Sequence, residues 1–329
     1  MPRMDLPPEE LEAYLPARTE PADFDDFWRR TVDGARAAGT GATFTPVDAG
    51  LEVFDVYDVS FPGFGGEPVA AWLVVPRAPA GPLPCVVQYL GYGGGRGFPF
   101  ERTLWASAGY AHLVMDNRGQ GASLGSAGAT ADSGSSAGAQ AVGYSTRGIL
   151  DPEHYYFRRL YTDGVRAVDA VREHPAVDAD RVVVAGGSLG GGTALAVAAL
   201  AEGLAGALVD VPALCHPRRA MEVVEGNTYR EIWTFLRTHR DRAEDVFRTL
   251  SYVDGMNFAA RATVPARFSV ALMDDIVPSS SVYAAYNHYA GRKSIDVWPY
   301  NRHEAGGPYQ AANQLRFVRE LLGTVPATV

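Results

Sequence analysis

The sequence has few cysteines, no long apolar run and more acidic than basic residues. Cys85 and Cys215 are its only cysteines, and both lie in apolar surroundings, so we expect two buried free thiols rather than a disulfide or a cysteine metal cluster. No apolar run approaches the roughly 18 residues that a membrane-spanning helix needs. The net charge of −9 argues against nucleic acid or an anionic membrane as a partner.

The N-terminal stretch MPRMDLPPEELEAYLPARTEP carries prolines and acids where a signal peptide needs an apolar core. Together with the charge, this predicts a soluble cytoplasmic protein that binds a small or neutral ligand. Hydrophobic residues make up 47% and charged residues 20% of the chain, which is an ordinary globular balance. A chain of 329 residues can form one large α/β domain, and we expect a single domain over residues 1–329.

Apolar segments along the chain alternate with helical patterns. A helix is predicted at 23–39 within an N-terminal helical extension (1–45), and two consecutive strands, FDVYDVSF and PVAAWLVVPR, suggest an antiparallel start. Five further strands are predicted with helices between them: PCVVQYL, AHLVMD, RVVVAG, ARFSVAL and SIDVWPY. This alternation predicts an α/β fold, a mainly parallel twisted sheet with helices on both faces. The stretch 121–143 is almost wholly Gly, Ala and Ser, so we expect an inserted loop over 121–150.

The segment RVVVAGGSLGGGTALAVAAL contains a serine between a strand pattern and a helix pattern. Its Gly186-Gly187-Ser188-Leu189-Gly190 matches G-x-S-x-G, the nucleophile elbow that exposes a serine hydroxyl at the start of a helix. Two other interpretations apply to the five residues alone: a glycine-rich turn in which Ser188 only caps the helix, and a phosphate loop. The phosphate loop is disfavoured, because Gly192 stands where that motif has lysine.

A serine nucleophile needs a base, and the base needs an orienting carboxylate. Among seven histidines, His303 is distinctive because it follows the last apolar strand, in the loop YNRHEAGG. Asp274 and Asp275 directly follow FSVALM, so one of them lies at the carboxyl end of a strand, where sites gather in such sheets. Serine, aspartate, histidine is the chain order of α/β hydrolases. The spacing predicts a serine hydrolase and leaves Asp274 and Asp275 open.

Longer stretches carry a family resemblance. The motifs RGQG at 118–121, GGSLGG around Ser188, LMD ending at Asp274 and HE at 303–304 resemble those of the acetyl xylan esterase and cephalosporin C deacetylase family, carbohydrate esterase family 7. The stretches GYGGGRGFP, TRGILD, YREI, FRTLSYVDGMNFAARA and AAYNHYAG resemble it too, so the likeness covers nearly the whole chain.

The resemblance implies the α/β-hydrolase fold and a catalytic triad of Ser188, Asp274 and His303, which selects Asp274 over Asp275. It also implies an oxyanion hole formed by the main-chain N–H groups of Tyr92 and Leu189, and geometry supports this, since one donor should follow the nucleophile. No metal or organic cofactor is expected. The implied substrates are small acetyl esters, such as acetylated xylo-oligosaccharides and cephalosporin C, and the implied assembly is a homo-oligomer, commonly a hexamer.

The chain departs from the family pattern at two positions, Leu189 where glutamine is usual and Leu90 within a usual His-Gly-Tyr. We expect both leucines to make the pocket more apolar and to change substrate preference. Arg118 and Glu304 are predicted to form a charge pair that fixes the loops carrying the triad, and Gln120 is a further supporting candidate.

Two alternatives stay open from the sequence. The first is a broader carboxylesterase or a prolyl-oligopeptidase-like peptidase on the same fold, although such a peptidase ordinarily adds a propeller domain that this length cannot hold. The second is a binding module on an inactive hydrolase scaffold, which the intact serine, aspartate and histidine disfavour.

Overall fold

A nine-stranded sheet organises the chain in the computed structural model, which describes residues 5–122, 126–132 and 143–324. Residues 1–4 of the predicted extension, and 123–125 and 133–142 of the predicted inserted loop, lie outside the described residues. The strands are β1 (Thr43–Val47), β2 (Phe54–Pro62), β3 (Pro68–Pro76), β4 (Leu83–Tyr89), β5 (Ala111–Met115), β6 (Val177–Gly187), β7 (Gly206–Asp210), β8 (Ala266–Ala271) and β9 (Lys293–Trp298).

The strand order is β1-β2-β3-β5-β4-β6-β7-β8-β9. Strands β1, β2, β3 and β5 pair antiparallel in turn, and every pair from β5 through β4 to β9 is parallel. The predicted antiparallel start and mainly parallel sheet are therefore confirmed. The carboxyl ends of β4, β6, β7, β8 and β9 consequently meet along one edge of the sheet.

Helices cover both faces of the sheet. They are α1 (Pro8–Glu12), α2 (Phe24–Ala38), α3 (Leu104–Ser107), α4 (Tyr156–Val171), α5 (Leu189–Leu200), α6 (Pro217–Val223), α7 (Asn227–Thr238), α8 (Ala243–Ser251), α9 (Gly255–Ala259), α10 (Ser279–His288) and α11 (Gly307–Leu322). Short 3₁₀ turns occur at Phe64–Gly66, Pro99–Glu101, Tyr144–Thr146 and Arg240–Arg242.

Successive side chains of the buried strands point to opposite faces of the sheet, and each face packs against different helices. Val87 and Val184 belong to the large core that α4 and α5 cover, whereas their neighbours Val86 and Val183 pack with Val318 of α11 on the other face. Because successive side chains of a strand point to opposite faces, strands buried on both sides become continuous apolar runs. This is why β4 and β6 were recognisable from sequence.

The segment before the sheet is anchored by aromatic packing. In α2, Trp28 contacts Phe258 of α9 with ring centroids 5.2 Å apart, and its indole N–H donates to the Tyr252 carbonyl at 2.8 Å. Cys85 and Cys215 are both buried and unpaired, as predicted, and burial raises the pKa of the Cys85 thiol to about 12. Over the part of the chain that the structure describes, no helix has both the length and the apolar character needed to cross a membrane.

Candidate active site

Ser188 occupies a sharp turn between β6 and α5. It has φ 59° and ψ −122°, a backbone conformation that residues other than glycine rarely adopt. The turn is held by main-chain bonds on both sides: the Ser188 N–H donates to the Asp210 carbonyl at 3.0 Å, and its own carbonyl accepts from Gly192 and Ala213. Such strain is characteristic of functional positions, and here it projects the hydroxyl beyond the carboxyl end of β6.

The glycines flanking the serine allow close backbone approach. A Cβ on Gly186 would lie 2.2 Å from the Gly190 carbonyl oxygen, and a Cβ on Gly190 would lie 2.3 Å from the carbonyl oxygen of Tyr89, at the end of β4. Neither position can carry a side chain without moving the backbone. The G-x-S-x-G pattern therefore brings the start of α5 against the loop after β4.

His303 and Asp274 form a hydrogen-bonded pair above the ends of β8 and β9. The His303 Nδ1 and Asp274 Oδ2 atoms are 2.9 Å apart, and the Asp274 side chain is fully buried. The other Asp274 oxygen accepts the main-chain N–H groups of Ile276 and Val277 at 2.8 and 3.0 Å. The carboxylate is thus held from three directions, which fixes the imidazole that it contacts.

Asp275, the alternative from spacing, has a different environment. Its carboxylate lies 3.5 Å from the Arg302 guanidinium, and both side chains are substantially exposed. Asp274 is therefore the aspartate that the structure places beside His303.

Ser188 and His303 line one cavity of about 960 Å³ at the carboxyl edge of the sheet. Among the described residues no hydrogen bond joins their side chains, and catalytic contacts are often long in unliganded enzymes. Several polar side chains line part of the wall, and they come mainly from α7 and α11: Thr228, Arg230, Glu231, Thr234, Thr238, Gln310 and Gln314. The cavity can accommodate a ligand of drug size or larger.

The two predicted oxyanion donors belong to the two segments that approach each other at Gly190. Leu189 lies at the start of α5, and Tyr92 lies in the loop after β4. Leu189 is the first residue of α5, where a helical N–H has no partner within its own helix. Within the described chain, neither the Leu189 nor the Tyr92 main-chain N–H donates to a protein acceptor. Tyr92 also lines the cavity. Both groups are thus available to a ligand, and their catalytic role stays a prediction.

Residues of the 117–120 turn hold the Tyr92 loop. The Asn117 side-chain amide donates to the Gly91 carbonyl at 3.1 Å, and the Gln120 Oε1 accepts the Gly93 N–H at 2.5 Å. Gln120 is itself fixed by its donation to the Tyr156 hydroxyl at 2.7 Å. Gln120 thus lies where a supporting residue should, whereas sequence reasoning missed Asn117, whose signal was its position two residues after the buried strand β5.

The predicted Arg118–Glu304 pair is wrong. Arg118 is fully buried and donates to Asp163 at 2.5 and 2.7 Å and to Glu67 at 2.7 Å. Glu304 is exposed and accepts from Asn301 at 2.6 Å and from the Arg302 main chain at 3.0 Å. The Arg118 guanidinium lies in a buried ionic network, because α4 contributes the Asp163 carboxylate to it. Glu304 therefore braces the turn that carries His303, and it also lines the cavity.

The expectation that the two leucines make the pocket more apolar is also wrong, and the expected change in substrate preference stays a prediction. Leu189 is fully inaccessible and belongs to the main core, and Leu90 is 4% exposed. Neither lines the described wall of the cavity. The Leu189 side chain, in the first turn of α5, packs into the core and not toward the Ser188 hydroxyl. Leucine at position 189 therefore adds no apolar surface to the cavity.

A further carboxylate next to the serine was not found from sequence. Asp210 ends β7, lines the cavity and accepts the side-chain amides of Gln310 and Gln314 at 3.0 and 2.6 Å. Burial raises its pKa to about 6. The signal was available, because GALVD ends in aspartate just as FSVALMD does, but the strand itself was not predicted. No group of three or more metal-ligating side chains occurs among the described residues.

A serine on a strained elbow, with a histidine–aspartate pair at the same edge of this sheet, defines a hydrolase of the α/β-hydrolase class. Comparison with known proteins specifies the class further. The sequence model of the acetyl xylan esterase (AXE1) family matches residues 1–321. The chain belongs to this family and is a carboxylic ester hydrolase acting on acetyl esters.

Two solved structures and one further sequence relative agree with the assignment. The acetyl xylan esterase from Paenibacillus sp. R4 is 39% identical, with a TM-score of 0.89 over 96% of this chain and 99% of that one. Acetyl xylan esterase 1 from Thermoanaerobacterium sp. JW/SL YS485 is 31% identical, with a TM-score of 0.88 and the same coverage. The acetyl esterase Axe7A of Xylanibacter ruminicola is 27% identical over 308 residues, 92% of this chain and 67% of that protein.

Proposed function

We propose that this esterase cleaves acetyl esters of small hydroxylated molecules through an acetyl-serine intermediate on Ser188. The observation that carries the proposal is the 2.9 Å His303–Asp274 contact at the cavity that also exposes the elbow serine. In that arrangement Nδ1 of His303 holds its proton against Asp274, which leaves Nε2 free to act as a base.

The chemistry follows in two balanced halves. Ser188 Oγ attacks the acetyl carbonyl carbon while His303 takes the hydroxyl proton, and the carbonyl oxygen becomes an oxyanion that the Tyr92 and Leu189 N–H groups stabilise. The intermediate collapses, His303 returns the proton to the departing alcohol oxygen, and acetyl-Ser188 remains. Water then attacks the acyl carbon with His303 again as base, and acetate leaves as Ser188 recovers its proton.

For the substrate, the family points to acetylated xylo-oligosaccharides, with cephalosporin C as a further acetyl ester. The polar side chains on part of the cavity wall support an alcohol portion rich in hydroxyls, because threonine and glutamine groups can exchange hydrogen bonds with them. A volume of about 960 Å³ is large enough to receive a short oligosaccharide.

The test is acetate release from acetylated xylo-oligosaccharides and from cephalosporin C, beside hydrolysis of p-nitrophenyl acetate, butyrate and octanoate. We expect both natural-type esters to be cleaved and acetate to be preferred over octanoate in kcat/KM. The Ser188→Ala variant serves as the baseline. Octanoate cleaved faster than acetate, with no acetate released from the sugar esters, would support the broader carboxylesterase instead.

We also propose a cytoplasmic homo-oligomer, a hexamer in the form usual for the resembled family. The two buried unpaired thiols are compatible with a reducing compartment. Light scattering coupled to size-exclusion chromatography measures the assembly, and a stable monomer at micromolar concentration would refute it.

A further inference from the structure

A carboxylate of helix α7 is bonded to the side chain of one predicted oxyanion residue. The Tyr92 hydroxyl donates to both oxygens of Glu231, at 2.6 and 2.8 Å. The Ser145 N–H donates to the same carboxylate at 3.0 Å, and the Tyr144 N–H donates to the Tyr92 hydroxyl at 3.0 Å. Glu231 therefore joins the Tyr92 loop, the 144–146 turn and α7.

The Tyr92 phenol is the hydrogen donor in this contact. Burial, and then the neighbouring Glu231 carboxylate, raise the pKa of the Tyr92 phenol well above its ordinary value. The phenol accordingly stays protonated and donates to the Glu231 carboxylate. A hydrogen bond from a hydroxyl to a carboxylate is short and strong, which agrees with the 2.6 Å separation.

The Tyr92–Glu231 contact constrains the main chain at Tyr92. The peptides on both sides of Tyr92 are already tied down, by Asn117 at the Gly91 carbonyl and by Gln120 at the Gly93 N–H. The Tyr92 N–H lies in the same planar peptide as the Gly91 carbonyl, so the Asn117 bond sets the plane of that peptide. The position of the Tyr92 Cα, which joins the two held peptides, then depends on where the Tyr92 side chain is anchored. Glu231 supplies that anchor.

We infer that Glu231 is a positioning residue for the oxyanion hole: its carboxylate holds the Tyr92 phenol so that the Tyr92 main-chain N–H faces the reacting carbonyl oxygen. The inference rests on the proposed function of Ser188 and Tyr92. Helix α7 also lines the cavity through Thr228 and Thr234. Helix α7 therefore both lines the substrate cavity and holds the side chain of Tyr92, whose main-chain N–H is the predicted oxyanion donor.

A purely structural role for Glu231 predicts something else. Its loss would then lower the melting temperature and leave kcat and KM of the folded enzyme unchanged. A positioning role predicts a lower kcat with KM preserved, because the oxyanion exists only after attack. The two roles are separable by kinetics on folded protein.

The experiment compares Glu231→Gln, Tyr92→Phe and the double variant on p-nitrophenyl acetate. Complete loss of one oxyanion donor costs about 10²–10³-fold in kcat, so mispositioning should cost roughly 5- to 30-fold in each single variant. We expect KM to change less than about twofold, and the double variant to be no slower than the worse single one, because both remove the same contact. Glu225→Gln, at an exposed glutamate just before α7, is the matched control.

A kcat for Glu231→Gln equal to that of the control overturns the inference, as do strictly additive losses in the double variant. A second readout is inactivation by diethyl p-nitrophenyl phosphate, whose phosphoryl oxygen uses the same donors. The rate of inactivation should fall in Glu231→Gln by a factor similar to that in kcat. If the wild type itself resists this reagent, the proposed nucleophile fails; if wild type and Glu231→Gln react equally fast, only the Glu231 inference fails.

Discussion

Replacing Asp274 by asparagine tests the central pair with the least change in shape. The carboxylate accepts three hydrogen bonds, from His303 and from the N–H groups of Ile276 and Val277. The asparagine carbonyl can keep the two main-chain bonds, which leaves its NH₂ group facing His303. Two donors cannot share one contact, so Nδ1 loses its proton and the proton moves to Nε2.

The size of the effect follows from this tautomer. With a proton on Nε2, His303 cannot accept the Ser188 proton, and the imidazolium loses its buried counter-charge. The equivalent change in a serine protease lowers kcat about 10⁴-fold, and we expect a loss of about 10³–10⁴-fold here. That loss corresponds to roughly 4 to 5 kcal/mol of transition-state stabilisation.

The assay is kcat for p-nitrophenyl acetate at pH 7, with Asp275→Asn as the matched neighbour. Asp275 contacts only the exposed Arg302 among the groups around it that the structure describes, so its variant should retain activity within about twofold. Thermal unfolding checks that both variants are folded. An Asp274→Asn enzyme within tenfold of the wild type, or equal losses in both variants, would refute the assignment.

Three further outcomes follow from the packing and charges around the site. Gly190→Ala should lower kcat/KM by about 100-fold or more, because its Cβ would displace Tyr89 and the loop after β4 that carries Tyr92; ester assays on folded protein measure it, and wild-type activity would contradict it. Arg118→Met should cost about 3–5 kcal/mol in urea unfolding, since Asp163 is left as a buried unpaired charge; a loss below 1 kcal/mol would contradict it. Asp210 has a folded-state pKa of about 6, above its ordinary 3.8, so its contribution to stability is lost as pH rises from about 4 through 6. Asp210→Asn should therefore flatten the decline in the free energy of unfolding, measured by urea titration, between pH 4 and 6.5, by about 2 kcal/mol at most, and an unchanged slope would contradict it.

The sequence predicted elements with a strong local signal. The β-branched runs of β4 and β6 are long and buried on both faces, so they were recognisable without knowledge of their neighbours. Strand β7, Gly206–Asp210, was missed because five residues with two small side chains after an apolar helix look like a continuation of that helix. Missing β7 also hid Asp210.

Contacts between distant segments were the part that sequence could not predict. The partner of Arg118 is Asp163, 45 residues away on α4, and no local pattern joins them. The direction of the Leu189 side chain was equally hidden, because it depends on how α5 sits on the sheet. A pair between His303 and Asp274 or Asp275 was predictable because residues at the carboxyl ends of neighbouring strands meet by the topology itself. The choice of Asp274 came from the family resemblance.

The most direct test of the account is the activity of Ser188→Ala on p-nitrophenyl acetate. With the nucleophile gone, we expect kcat/KM to fall at least 10³-fold with an unchanged melting temperature. A folded Ser188→Ala protein that hydrolyses the ester within tenfold of the wild type would contradict the acetyl-serine mechanism.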